Sequence, residues 1–131
     1  MRWLEAEHGK MRDVCPYPRP AGYDALTESW GEPGDRAFCN PFFSKRRSPE
    51  PDKHGPVDFV RKGISENHRG VECFFILPVP IYVCMLAEAG VEVRPLGRRI
   101  HWQEATTGEP QRNPPNCVLF ILRSKYSKAR V

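Results

Sequence analysis

The sequence predicts an α/β fold, one sheet with helices on its faces, and three observations predict it. Short apolar runs of strand length, among them Arg36-Ala37-Phe38-Cys39 and residues 71–77, alternate with stretches whose apolar residues fall at helical spacing. Proline and glycine, 14 and 10 of them, cluster between these runs and act as punctuation. A length of 131 residues suits one modest core and leaves no room for a separate recognition domain, so a single compact domain is expected over residues 1–131.

The elements follow in order. Residues 1–10 turn polar after Trp3 and Leu4 and are assigned no more than a short helical turn. Met11-Arg12-Asp13-Val14-Cys15 reads as the end of a strand, because Pro16-Tyr17-Pro18-Arg19-Pro20 cannot continue as helix or sheet; Asp13 then lies near that strand's carboxyl end. Gly31-Glu32-Pro33-Gly34 is a turn, and the strand at 36–39 stops at Asn40-Pro41. Residues 44–55 carry Lys45, Arg46, Arg47 and Lys53 among prolines, the composition of an exposed basic loop or a solvated linker. Pro56 opens a helix whose stripe is Val57, Phe59, Val60, Gly63 and Ile64 and which ends near Gly70. Residues 71–77, the most hydrophobic segment, form a central strand. A short helix at 81–89 closed by Gly90, strands at 91–94 and 99–102, and a last strand at 117–123 complete the sheet, and residues 124–131 make a loose basic tail.

Composition bounds the function less tightly. A formal charge of +4 and a pI near 8.9 suit a polyanionic partner without identifying one. Five cysteines with no C-x-x-C pair, no leader and no apolar stretch long enough to span a membrane indicate a reduced, cytoplasmic protein without a membrane partner. Cys39, Cys73 and Cys117 sit in apolar runs as small hydrophobes, and no histidine shows ligand spacing, so no metal site is expected.

The informative segment is Asn40-Pro41-Phe42-Phe43-Ser44, directly after an apolar strand. Ligands of open α/β sheets bind beyond the carboxyl ends of strands, which is where these side chains fall. An Asn carboxamide oxygen and a neighbouring main-chain carbonyl can together accept both hydrogens of an amino group and aim its nitrogen. An aromatic such as Phe43 can stack on a base withdrawn from a duplex, and Phe42 could line the donor side. Taken alone the motif is weak, since Asn-Pro is a common turn and two phenylalanines can simply be core.

The order of segments adds to it. Asp13-Val14-Cys15-Pro16, Asp24-Ala25-Leu26 with Trp30, Asn40-Pro41-Phe42-Phe43-Ser44, Phe59-Val60-Arg61-Lys62, Ile76-Leu77-Pro78 and Pro95-Leu96-Gly97-Arg98 together resemble the phage-type, Dam-like DNA adenine methyltransferases, over roughly residues 12–123. The resemblance implies an abbreviated Rossmann-like class I methyltransferase sheet, S-adenosylmethionine as cofactor, DNA as partner, and the cytoplasm of a phage host as location. It implies catalytic roles for Asn40, Pro41, Phe42 and Phe43, and donor contacts in the segments holding Asp13, Cys15, Pro16, Asp24 and Leu26, whose carboxylates can accept ribose hydroxyl or amine hydrogens. Ser44, Lys45, Arg46, Arg47, Lys53, Arg98 and Arg99 are the DNA-contact candidates. For single residues plainer roles stay open: Asp24 as a turn cap, Asp13 as a strand end. Phe42 stands where the family has a second proline, and the Gly-rich donor loop of larger methyltransferases is absent. Little chain precedes Asp13, so an N-terminal helix closing the donor site is expected to be missing, and a homodimer could complete the pocket. The alternative reading is a non-catalytic module that binds nucleic acid or S-adenosylmethionine on the same fold.

Overall fold

The structure, a computed structural model, describes residues 2–41, 55–78, 83–96 and 117–126. Its elements run α1 (Arg2–His8), β1 (Arg12–Asp13), β2 (Arg36–Cys39), α2 (Pro56–His68), β3 (Glu72–Pro78), α3 (Val83–Glu88), β4 (Glu92–Pro95) and β5 (Cys117–Leu122). The described strands form one mixed sheet in the order β1-β2-β3-β5-β4. β1, β2 and β3 are parallel, while β5 runs antiparallel to both of its neighbours, so that β4 points the same way as β3.

The α/β class is the one predicted, and β3 is central. Its side chains alternate between two cores. Cys73, Phe75 and Leu77 join Ala37 and Cys39 of β2 and Phe120 and Leu122 of β5 in a cluster that also takes in Val60 of α2 and Leu86 of α3. Phe74 and Ile76 join Phe38, Leu119 and Ile121 on the opposite face, which Leu4 and Trp3 of α1 cover. Residues 71–77 are all buried, as expected of a strand apolar at successive positions. Each large side chain so buried contributes roughly 1.5–3 kcal/mol.

Helix α1 is longer than the short turn expected from its polar composition. Local propensity alone would not hold seven residues, but Leu4 is fully buried, and the Glu5 carboxylate accepts the Met11 N–H at 3.1 Å. Tertiary contact thus decides the segment and makes a seven-residue helix where a short turn was expected. The strand expected at 99–102, the basic loop at 44–54 and the tail beyond residue 126 lie outside the described residues.

Helix α2 begins as its sequence dictates. Pro56 takes the first turn, where no N–H is needed, and Asp58 accepts the Gly55 N–H at 3.1 Å. Its buried face is Pro56, Val60, Gly63 and Glu66. Gly63 is there for space: a Cβ at that position would clash with Cζ at the edge of the Phe75 ring and stand 3.1 Å from Trp30. At the far end Asn67 donates to the main-chain oxygens of Val71 and Arg123, both at 3.0 Å, joining the helix to β3 and to the exit of β5.

Glu66 is a carboxylate on this apolar face. Its Oε1 accepts the Trp30 N–H at 2.7 Å and lies 3.3 Å from Lys62 Nζ, and its Oε2 bonds Arg69. Burial alone would raise its carboxyl, but the Trp30 N–H and the two cations outweigh it and hold the group below the ordinary 4.5. Trp30 is fixed from the other side by its indole N–H, donated to the Ala25 carbonyl at 2.8 Å. A second buried carboxylate, Glu72, meets Arg36 at 3.2 Å, the Ser124 N–H at 3.2 Å and Arg123 at 3.7 Å, clamping β2, β3 and β5 at one end.

Two outcomes are expected. Gly63→Ala improves helix propensity by about 1 kcal/mol but overpacks the helix against β3, for a net loss of about 1–3 kcal/mol in urea unfolding. Glu66 has a folded pKa below its unfolded value, so its stabilisation is complete at neutral pH and fades as pH falls from about 4.5 through the lower folded value. Glu66→Gln should cost about 1–3 kcal/mol at neutral pH, and its melting temperature should fall less steeply below pH 4.5 than that of the wild type.

Candidate functional site

The parallel strands β1, β2 and β3 end on one edge of the sheet, and the residues singled out by sequence gather at two of those ends. Asp13 pairs with Phe38 across β1 and β2, and the Val14 N–H continues the ladder to the Phe38 carbonyl at 2.9 Å. One residue past the end of β2 stands Asn40, exposed, followed by the buried Pro41. The strand thus ends with its last apolar residue, Cys39, in the core and its carboxamide outside it.

Asp13 is exposed as a residue, and its Oδ1 accepts the Cys15 N–H at 3.0 Å. Partial loss of solvent raises its carboxyl above the ordinary carboxylate value, and the Cys15 N–H offsets part of that rise. Asp24 is half-buried and makes an Asx turn, its Oδ1 accepting the Leu26 N–H at 3.0 Å while its carbonyl takes the Glu28 N–H at 2.9 Å. The plainer roles left open for both residues are therefore occupied, and each carboxylate uses one oxygen to shape its own loop. Cys15, Pro16 and Leu26 are half-buried. Phe42, Phe43, Ser44, Lys45, Arg46, Arg47, Lys53, Arg98 and Arg99 lie outside the described residues, so the structure brings together Asp13, Cys15 and Asn40-Pro41 but does not speak to the aromatic and basic part of the motif.

Sequence reasoning passed over three residues that hold the structure, Tyr23 at this edge and Trp30 and Glu66 away from it. Tyr23 donates its hydroxyl to the Val14 carbonyl at 2.7 Å and so ties the loop after β1 to that strand's end; burial, with Cys15 next, pushes the hydroxyl up to about 12 and keeps it a donor. Trp30, noted only as part of a motif, is wholly buried against Phe75, with ring centroids 6.1 Å apart. Glu66, which anchors Trp30, had a signal in sequence: it continues the series Pro56, Val60, Gly63 on one helical face. The fourth feature is a contact with no sequence signal, Cys15 Sγ to Cys39 Sγ at 3.3 Å.

Among the described residues no helix is long and apolar enough to cross a membrane, and no group of three or more His, Cys, Asp and Glu side chains is placed to hold a metal ion. No protein-family model matches the chain, nor does any curated protein or solved structure. Tyr23→Phe removes the donor from the Val14 carbonyl and should cost about 0.5–1.5 kcal/mol in urea unfolding, with faster amide exchange across residues 14–30 than in α2.

Proposed function

We propose that the protein is an S-adenosylmethionine-dependent methyltransferase acting on the exocyclic amine of adenine in DNA. The observation that carries this reading is the exposed Asn40 immediately beyond β2, backed by the buried Pro41: a carboxamide on a fixed support at the edge where α/β sheets bind ligands. Asp13 ends the neighbouring parallel strand at the same edge. A strand running against its neighbours toward one side of the sheet, as β5 does, is compatible with the class I methyltransferase sheet that the resemblance implies.

The chemistry asked of these residues is limited. The lone pair of the adenine amine is delocalised into the ring, so the chain must hold both hydrogens and point the nitrogen. The Asn40 carboxamide oxygen and the Pro41 carbonyl are the two acceptors, worth several kcal/mol when pre-organised. Phe43 would take up the stacking lost when the base leaves the duplex, Phe42 would border the donor, and Lys45, Arg46 and Arg47 would meet phosphate. S-adenosylmethionine supplies an electrophilic methyl on a sulfonium. The donor set suits it: the Asp13 carboxylate, exposed at the strand end, can accept ribose hydroxyls through the oxygen not engaged by Cys15, whereas Asp24 is committed first to its turn.

Phe42 in place of a second motif proline favours a second reading, a donor- or nucleic-acid-binding protein on the same fold without turnover. Nucleoside mass spectrometry of DNA exposed to the protein and donor separates the two. The wild type should leave N6-methyladenine, and Asn40→Ala should reduce it at least 100-fold, about 3 kcal/mol, with an unchanged urea midpoint because Asn40 is exposed. Methylation that survives Asn40→Ala removes the site from consideration, and donor binding by calorimetry with no methyl transfer selects the second reading.

A further inference from the structure

The loop leaving β1 and the last residue of β2 each carry a thiol, and the two sulfurs lie 3.3 Å apart. All five cysteines are unbridged, yet their settings differ. Cys84 is exposed on α3, Cys117 is half-buried at the start of β5, and Cys73 is buried within β3 with its thiol directed at the Gly63 and Val71 carbonyls. Cys15 is half-buried at the rim and packs against the core that contains Cys39.

We infer that Cys15 and Cys39 form a dithiol that a hydroperoxide converts to a reversible disulfide, a modification site at the carboxyl edge of the sheet. Moving from 3.3 Å to a bonded sulfur separation needs a closure of about 1.3 Å. The ends of the pair are already held by the β1–β2 ladder through Val14 and by the Tyr23 hydroxyl on the Val14 carbonyl. Exposure sets the order of events. Cys15 is the thiol solvent can reach, and Cys39 is closed off behind it, its thiol held well above the usual range by burial first and by the neighbouring Cys15 second.

The chemistry balances in two steps. The Cys15 sulfur attacks one peroxide oxygen, the O–O bond breaks, water leaves with the thiol proton, and Cys15 becomes a sulfenic acid. The Cys39 sulfur then attacks the Cys15 sulfur, the S–O bond breaks, and the departing hydroxide carries off the Cys39 thiol proton as a second water. Two thiols are oxidised and one hydrogen peroxide is reduced to two waters. The disulfide would tie the loop after β1 to the residue next to Asn40; its formation does not depend on the methyl-transfer reading, and only its consequence for turnover does.

The test uses the full chain carrying Cys84→Ser, so that the exposed thiol on α3 cannot compete. After treatment with stoichiometric hydrogen peroxide, the protein is alkylated under denaturing conditions and digested without reduction; trypsin separates the two cysteines at Arg36. The expected product is a linked pair of peptides holding Cys15 and Cys39, two hydrogens lighter than their sum, with Cys73 and Cys117 alkylated and the linkage lost in dithiothreitol. Cys39→Ala, which removes the second step, should raise dimedone capture of a Cys15 sulfenic acid at least fivefold over the parent. Cys15 carried on to sulfinic acid while Cys39 stays a free thiol, a linkage to another cysteine, or five-minute and one-hour samples with both thiols intact would each overturn the proposal.

Discussion

Strand β3 is apolar on both faces, and the rest of the fold answers to that constraint. A strand with Phe74 and Ile76 on one side and Cys73, Phe75 and Leu77 on the other cannot lie at a surface, so helices must cover it twice and strands must flank it. Helices α2 and α3 supply one cover and α1 the other. Parallel pairing with β2 and antiparallel pairing with β5 satisfy its main chain. The close approach of α2 is possible because Gly63 presents no side chain to Phe75. The position of β2, and with it the point where Asn40 leaves the sheet, is thus a consequence of how β3 is packed.

Ionic contacts sit at the opposite end from the candidate site. Glu72 opens β3 and meets Arg36, which opens β2, and Arg123, which follows β5; Arg123 in turn meets Glu92 at 3.0 Å at the start of β4. Buried carboxylates such as Glu72 and Glu66 are costly to desolvate, and they are tolerated here because each accepts main-chain N–H groups as well as cations. They fix which strand ends adjoin, a matter of register, where apolar contacts alone are indifferent to sliding. The exposed Glu92–Arg94 and Glu92–Arg123 pairs add little by comparison, being open to solvent and screened.

The elements readable from sequence were those whose own residues carry the signal. β2 falls on the four residues expected because a polar turn precedes it and Asn40-Pro41 cuts it short, and α2 is bounded by Pro56 and by Gly70 at φ 105°. Gly90, at φ 79°, likewise closes α3 where expected. Helix α1 was underestimated because its hold on the sheet is a long-range contact of Leu4 and Trp3, invisible in a window of ten residues. The insertion of β5 between β3 and β4 was not readable either, since pairing order between segments more than twenty residues apart in sequence leaves no local trace. At the site, the placement of Asp13 and Asn40 at strand ends came from strand length and proline stops. The Cys15–Cys39 contact depends on register between strands and the Tyr23 tie on how the proline-rich segment turns back on Val14, neither of which single-chain periodicity encodes.

The separation of these two ends has a consequence for how the carboxyl edge can be altered. Glu66, Glu72, Trp30 and the alternating core of β3 hold the fold without using any side chain beyond Cys39 on β2. Asn40 contributes its carboxamide to solvent rather than to packing, whereas Cys39 before it and Pro41 after it are buried. A residue exposed between two buried neighbours is held in place by them while remaining replaceable itself, so its main-chain position is set by the core and its side-chain chemistry is independent of stability. That arrangement lets the chemistry at Asn40 be judged apart from folding, and it makes Cys39, one residue away and in contact with Cys15, the point at which a change in the core would be felt at the edge.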